Sequence, residues 1–330
     1  MTKTLFHLVM MLSLALCISC AKDDMVASPN YVSDNNYFND GDIEIIFEND
    51  KLNGINVIFM GDVYFQNHLE VNDGVYRKHA LNTISYLFNS TPFSQYEKHF
   101  NAYIIYAESK LLVSENEETE VSTPFGSSVS PDGLPSIANW WAIDDYVSKL
   151  TGKPRSEKDL ILISIKSHSG GGTAWLNNNV AIFGSEDQKV MLHEVGHAFA
   201  NLGDEYINES YIPINLHEVA NIDSIGNPDL IKWKHFLGLS DYKEVGTYQG
   251  GNYREFGFWR PEEQSIMGSG LYFNAPSREA IVKKIMELKN LDYSFEEFLK
   301  IDKINVSSSK KKNSNLENKN SIAFKCGANF

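Results

Sequence analysis

The sequence predicts a layered domain of α/β (α+β) class, a mixed sheet with helices packed against it. Three observations predict it. Leu160-Ile161-Leu162-Ile163-Ser164-Ile165 is an almost unbroken apolar run, the pattern of a strand buried on both faces. Asn179-Val180-Ala181-Ile182-Phe183 repeats that pattern after a break at Gly170-Gly171-Gly172. Helices flank the pair: Ile137 to Leu150 carries Trp140, Trp141, Ile143, Tyr146 and Val147 at amphipathic spacing and ends at Gly152 and Pro154, and Ser185-Glu186-Asp187-Gln188 opens another. Strands alternating with helices bury their apolar faces in layers.

The elements before these follow the same rules. Ile43-Glu44-Ile45 alternates like a strand, and Ile55 to Met60 reads as a buried one, with Gly61-Asp62 as its turn. His68 to Phe88 carries Leu69, Val75, Leu81, Ile84 and Leu87-Phe88, an interrupted helix that Pro92 punctuates. Asn101 to Tyr106 is a further strand. Glu115 to Glu120 holds four glutamates and reads as a solvated loop. Beyond Ile304 the chain turns to Ser, Lys and Asn, so residues 304–330 are expected to be a polar basic tail without fixed structure.

Composition narrows the class of partner. Over 330 residues, 42% apolar and 22% charged side chains exclude wholesale disorder. The formal charge of −14, from 29 basic and 43 acidic residues, repels duplexes, so no nucleic-acid partner is expected.

The N-terminus reads as a processing signal. Lys3 precedes an apolar run from Leu5 to Ile18, shorter than the ~20 residues that a membrane span needs. Ser19-Cys20 then resembles the lipobox of bacterial lipoproteins, although Cys17 stands where Leu is usual. Ala21-Lys22-Asp23-Asp24 resembles a surface-export signal of such proteins. The expected organisation is a signal peptide over residues 1–19, a lipid anchor at Cys20 with a polar tether over 20–42, and the folded domain over 43–303. The product would be exported, an outer-membrane or cell-surface lipoprotein that meets the membrane through Cys20. Only Cys326 then remains, which leaves no intrachain disulfide.

The chemistry lies in His193-Glu194-Val195-Gly196-His197, an HExxH pattern. Histidines four apart share one helical face and can bind one Zn2+. Glu194, beside them, is placed as the general base that takes a proton from a water whose pKa zinc lowers to ~7. The third metal ligand follows closely. In a straight helix Asp204 would lie ~10 Å beyond His197, so the chain must reverse, and Gly203 is the residue suited to a left-handed helix end. Asp204 is the leading candidate, Glu205 the nearest rival, and Glu218, 21 positions after His197, the third.

His193 to His197 followed by Leu202-Gly203-Asp204-Glu205-Tyr206 resembles the signature of the bacterial IgA-peptidase-type zinc metallopeptidases. Ile55 to Asp62, Pro92-Phe93 through Phe100-Asn101-Ala102-Tyr103, Val245 to Tyr248, Trp259-Arg260-Pro261, Ser265-Ile266-Met267 and Phe273 to Ser277 are similar to further blocks in the same order. The resemblance covers roughly residues 50–290. It implies a zincin-like fold with a cleft, and a metzincin-like Met-turn at Ser265-Ile266-Met267 beneath the metal. Relatives often carry an aromatic residue two positions after that methionine. Ser269 stands there, so either Tyr272 is the donor to the tetrahedral intermediate or the role is unfilled or belongs to another group. Gly170 to Thr173 is either the rim where a substrate peptide would add as a strand or a glycine-rich turn with no such role.

The expected function is a zinc-dependent endopeptidase acting on extracellular or host proteins or peptides. His193, His197 and Asp204 would hold Zn2+ and Glu194 would act on the water. Two alternatives stand beside it: a zinc amidase of cell-wall substrates, and a non-catalytic surface adhesin or glycan-binding lipoprotein.

Overall fold

The computed structural model describes residues 36–113, 119–166, 168, 170–176, 178–216, 219–302 and 326–329. The expected signal peptide, Cys20, most of the tether and Glu218 lie outside the described residues, as do 303–325 of the tail. No helix among the described residues is long and apolar enough to cross a membrane.

In chain order the elements are β1 (Ile43–Glu48), β2 (Ile55–Asp62), α1 (Val75–Phe88), α2 (Phe93–Tyr96), β3 (Phe100–Ile105), β4 (Lys110–Val113), β5 (Thr119–Ser122), β6 (Ser127–Val129), β7 (Pro135–Ile137), α3 (Trp140–Thr151), β8 (Asp159–Ile165), β9 (Gly172–Trp175), β10 (Val180–Gly184), α4 (Gln188–Ala200), β11 (Tyr248–Gly251), β12 (Arg254–Arg260), α5 (Ala275–Leu288), α6 (Phe295–Asp302) and β13 (Cys326–Asn329). One mixed sheet orders its strands β1-β3-β2-β8-β10-β9-β13. Strands β3, β2, β8 and β10 run parallel, whereas β1 and β9 are antiparallel to their neighbours β3 and β10.

The unbroken apolar runs are explained by cover on both faces. Val57 and Phe59 of β2, Leu160 and Leu162 of β8, and Ala181 and Phe183 of β10 join a core that also takes in α1, α4 and α5. The alternate residues Ile58, Met60, Ile161, Ile163, Val180 and Ile182 pack with Ile143, Tyr146 and Val147 of α3. The sheet thus presses α4 against its first face beside β9 and β10.

Four expectations change in detail. The helix expected from Ile137 starts at Trp140, because Ile137 pairs with Ser127 in the β6–β7 hairpin. Trp141 is 66% exposed, while Trp140 turns inward to meet Trp175 edge-on at 4.6 Å. The interrupted helix from His68 resolves into a short 3₁₀ turn at Gln66–His68 and α1. Within the tail, Cys326–Asn329 pair in parallel with Gly172–Trp175, Cys326 opposite Gly172. An exposed strand edge recruits main chain by backbone hydrogen bonds alone, so this strand needs no apolar pattern to announce it.

Candidate metal centre

Helix α4 begins one turn before its chemistry. Within the Ser185–Gln188 run that opens it, the N-cap is Asp187, whose carboxylate accepts from Val190 N at 3.2 Å. Ser185 is instead held in the sheet layer, its N–H donating to Ile165 O at 3.2 Å. Near the other end, His193 and His197 are buried on one face, with ring centroids 4.7 Å apart.

The reversal that Asp204 requires is made by Asn201. It takes the left-handed conformation at φ +50° and caps the helix, with Leu202 N donating back to Gly196 O at 3.1 Å. Asparagine tolerates this region better than other side chains. Gly203, expected in that role, is needed for space: a Cβ there would lie 2.8 Å from Ile222 Cδ1 and 2.9 Å from Val219 Cγ1.

The imidazoles are oriented from behind. His193 Nδ1 donates to Ile266 O at 2.7 Å and His197 Nδ1 to Leu202 O at 2.5 Å. A backbone carbonyl only accepts, so each Nδ1 carries a proton, which leaves each Nε2 as the ring atom that can face a metal. Those two atoms lie 3.1 Å apart, and Asp204 Oδ1 lies 3.0 Å from one and 3.2 Å from the other. His193, His197 and Asp204 are all buried, and their ligand atoms fall within 4.8 Å of one another. Asp204 Oδ1 has no hydrogen-bond donor of its own. Three converging acceptors sealed from water are unfavourable unless a cation sits among them, and two imidazoles with one carboxylate suit a divalent transition metal.

Electrostatics point the same way. Burial opposes charge on His197, yet the Asp204 carboxylate outweighs it and pushes the imidazole pKa up to about 9. Burial also opposes charge on Asp204, and here the two histidines outweigh it and hold the carboxyl well below its ordinary range.

Glu194 is fully buried on the β9 side of the same helix. A Cβ on Gly172 would lie 2.5 Å from Glu194 Cγ and Oε1, so glycine lets the strand backbone close on this carboxylate. Glu205, the nearest rival ligand, turns away. Its Oε1 accepts from Asn221 Nδ2 and Asn274 Nδ2, each at 2.7 Å, and its N–H donates to Met267 O at 2.7 Å. Burial, countered only partly by the two asparagines, raises the Glu205 pKa to about 8. Asn221 also brackets Gly203, accepting from its N–H at 2.8 Å and donating to its carbonyl at 2.9 Å. Glu205 and Asn221 thus brace the loop that delivers Asp204.

The turn at Ser265–Gly268 lies beneath α4, where Ile266 supplies the carbonyl that holds His193. Tyr272, the expected donor, gives its hydroxyl to Glu262 at 3.4 Å and to no member of the cluster. A different tyrosine, which no sequence pattern picked out, reaches the centre. Tyr253 is buried and its hydroxyl donates to Asp204 Oδ2 at 2.5 Å. The faint signal for it was Gly250-Gly251-Asn252, a run of residues suited to unusual backbone.

With this geometry in hand, comparison with known proteins is informative. The family model described as IgA Peptidase M64 matches residues 43–242, more than half of the chain, from β1 past Asp204. No curated protein matches the chain significantly.

Proposed function

From the premise that the chain belongs to the family of IgA peptidase M64, a family of metallopeptidases, we propose that it is a zinc-dependent endopeptidase with His193, His197 and Asp204 as ligands and Glu194 as general base. The observation that carries this reading is the buried convergence of His193 Nε2, His197 Nε2 and Asp204 Oδ1 beside Glu194. The nitrogen and oxygen donors match the ligand types of catalytic zinc sites, and three of them leave a position open. In this reading α4 is an HExxH helix and Ser265–Gly268 a metzincin-like Met-turn.

When bound, Zn2+ supplies Lewis acidity, which makes water a nucleophile near neutral pH and polarises a carbonyl. Glu194 takes the proton from the attacking water as its oxygen bonds to the carbonyl carbon. The same carboxyl then protonates the amine as the C–N bond breaks, so one group serves as base and acid in turn. His193 and His197 stay fixed through Ile266 O and Leu202 O. The outer edge of β9, which flanks Glu194 and where the sequence suggested an added substrate strand, is paired with the chain's own residues 326–329, so an extended substrate would add there only in their place.

We further propose export and anchoring through Cys20, on the sequence pattern at the N-terminus. Mass spectrometry of envelope-derived protein should find a lipid on Cys20; an unmodified mature N-terminus would overturn this.

The function is tested by incubating the purified, zinc-loaded protein with a diverse peptide digest and mapping new termini. Cleavage that a chelator stops and zinc restores is expected. No cleavage despite full zinc occupancy would overturn the endopeptidase reading, in favour of the amidase if cell-wall fragments are hydrolysed and of the adhesin if nothing is.

A further inference from the structure

We propose that Tyr253 is a positioning residue that restricts Asp204 to one-oxygen coordination and so keeps the metal centre open. The proposal rests on the metal-centre reading above. The two oxygens of Asp204 keep different company. Oδ1 faces His193 Nε2 at 3.0 Å and His197 Nε2 at 3.2 Å, whereas Oδ2 accepts the Tyr253 hydroxyl at 2.5 Å. A short hydrogen bond to an ionised carboxylate is among the strong ones. With Oδ2 held, the carboxylate cannot rotate to offer both oxygens to one ion. A second oxygen would fill the coordination position that water and a substrate carbonyl must share.

The backbone around Tyr253 is built for this contact. Four consecutive residues at the end of β11 and in the turn to β12 have left-handed or otherwise positive φ: Gly250 at +98°, Gly251 at +139°, Asn252 at +49° and Tyr253 at +67°. Glycine accepts such values freely, but tyrosine does so only when its surroundings enforce them. They do so here from several sides. Asn252 N donates to Asp204 O at 2.8 Å, so the segment holds the backbone of Asp204 as well as its carboxylate. The Asn252 side chain brackets Ile214, accepting from its N–H at 2.9 Å and donating to its carbonyl at 3.0 Å. Tyr253 N donates to Tyr206 O at 3.2 Å, and Tyr253 O accepts from Asn208 N at 3.1 Å.

Ring and hydroxyl of Tyr253 have separable tasks. The ring packs with Ile214, Val219 and Ile222 and meets Tyr206 and Tyr211 at centroid distances of 5.4 and 5.3 Å. Packing explains an aromatic residue, and phenylalanine would satisfy it. It does not explain a hydroxyl aimed at the oxygen of Asp204 that faces away from the histidines.

The test is Tyr253→Phe in the full chain, stripped of metal and reloaded with Co2+ as a spectroscopic probe. Visible absorption of Co2+ weakens severalfold as its coordination number rises, a change that loss of packing alone does not produce. A severalfold weaker spectrum is expected at full Co2+ occupancy, with ~10–100-fold weaker zinc affinity in competition with a chelator, the range seen when a group bracing a ligand is lost. The metal-free variant should still melt cooperatively, below the metal-free parent because Asp204 Oδ2 loses its buried donor. An unchanged Co2+ spectrum overturns the proposal, whatever the affinity. Should Tyr253→Phe fail to fold, infrared difference spectra of the parent with and without Zn2+ decide: carboxylate bands of a two-oxygen ligand would overturn it, and those of a one-oxygen ligand support it. If the metal-centre reading itself fails, the parent binds Co2+ no better than His193→Ala does, and that result removes both.

Discussion

Gly196 faces Met267 across a gap that admits no side chain: a Cβ at 196 would lie 2.6 Å from Met267 Sδ and 2.9 Å from Phe273 Cε1. The glycine sits in the middle of α4, where alanine would raise helix propensity by ~1 kcal/mol. Overpacking a filled interior costs ~1–3 kcal/mol, and here both Met267 and Phe273 must yield. Gly196→Ala should therefore lower stability by up to about 2 kcal/mol, read as a reduced urea midpoint. Because Ile266 O orients His193, metal affinity should fall with it; unchanged stability and affinity would mean that the turn yields freely.

Asn221 is the second brace. Its amide serves Gly203 N, Gly203 O and Glu205 Oε1 at once, all buried. Asn221→Ala takes this partner from Gly203 N and O and leaves Glu205 Oε1 with Asn274 alone, at ~1–3 kcal/mol for an unsatisfied buried group. A loss of at least that size is expected in denaturant melts, together with weaker metal binding through a loosened Asp204. Stability equal to that of the parent would show that water replaces the amide.

How much of this was legible in the sequence depends on how far each partner lies along the chain. Strands β2, β8 and β10 were plain because cover on both faces makes every residue apolar. The hairpins β4–β5, β6–β7 and β11–β12 carry exposed or mixed faces, and periodicity does not reveal them. His193, Glu194 and His197 were legible because a helix brings such spacing onto one face by itself. The choice between adjacent Asp204 and Glu205 was not local. It is made by the bend at Asn201 and by Asn221 and Asn274, 16 and 69 positions from Glu205, which draw that carboxyl away from the histidines. Tyr253 lies 49 positions from Asp204, and one tyrosine among 16 gives no sign of its partner. Tyr272 was favoured by its closeness in sequence to Met267, yet its hydroxyl meets Glu262.

The metal should be part of the fold's stability. A ligand that binds only the folded chain stabilises it by RT ln(1 + [L]/Kd), about 2.7 kcal/mol at a hundredfold excess over Kd. Chelation should lower the melting midpoint by several degrees, and zinc should restore it. His193→Ala and His197→Ala should each purify without stoichiometric zinc and melt alike with or without chelator. Elemental analysis that found full zinc in both variants would remove the site.

Glu194→Gln separates chemistry from binding. Glutamine has nearly the shape of glutamate and fits the same space between α4 and Gly172, where the strand backbone leaves no slack. It can hold a water by hydrogen bonding but cannot take its proton at neutral pH. General acid–base catalysis is worth ~10²–10⁴-fold, so peptide hydrolysis should fall by at least that order. Zinc content should stay at parent level, because the proposed ligand set of His193, His197 and Asp204 does not include Glu194. The melting midpoint should not fall, since removing a carboxylate from a fully buried position relieves a desolvation cost. Equal rates in the variant and the parent would show that the proton goes elsewhere, and Glu194 would then lose its role.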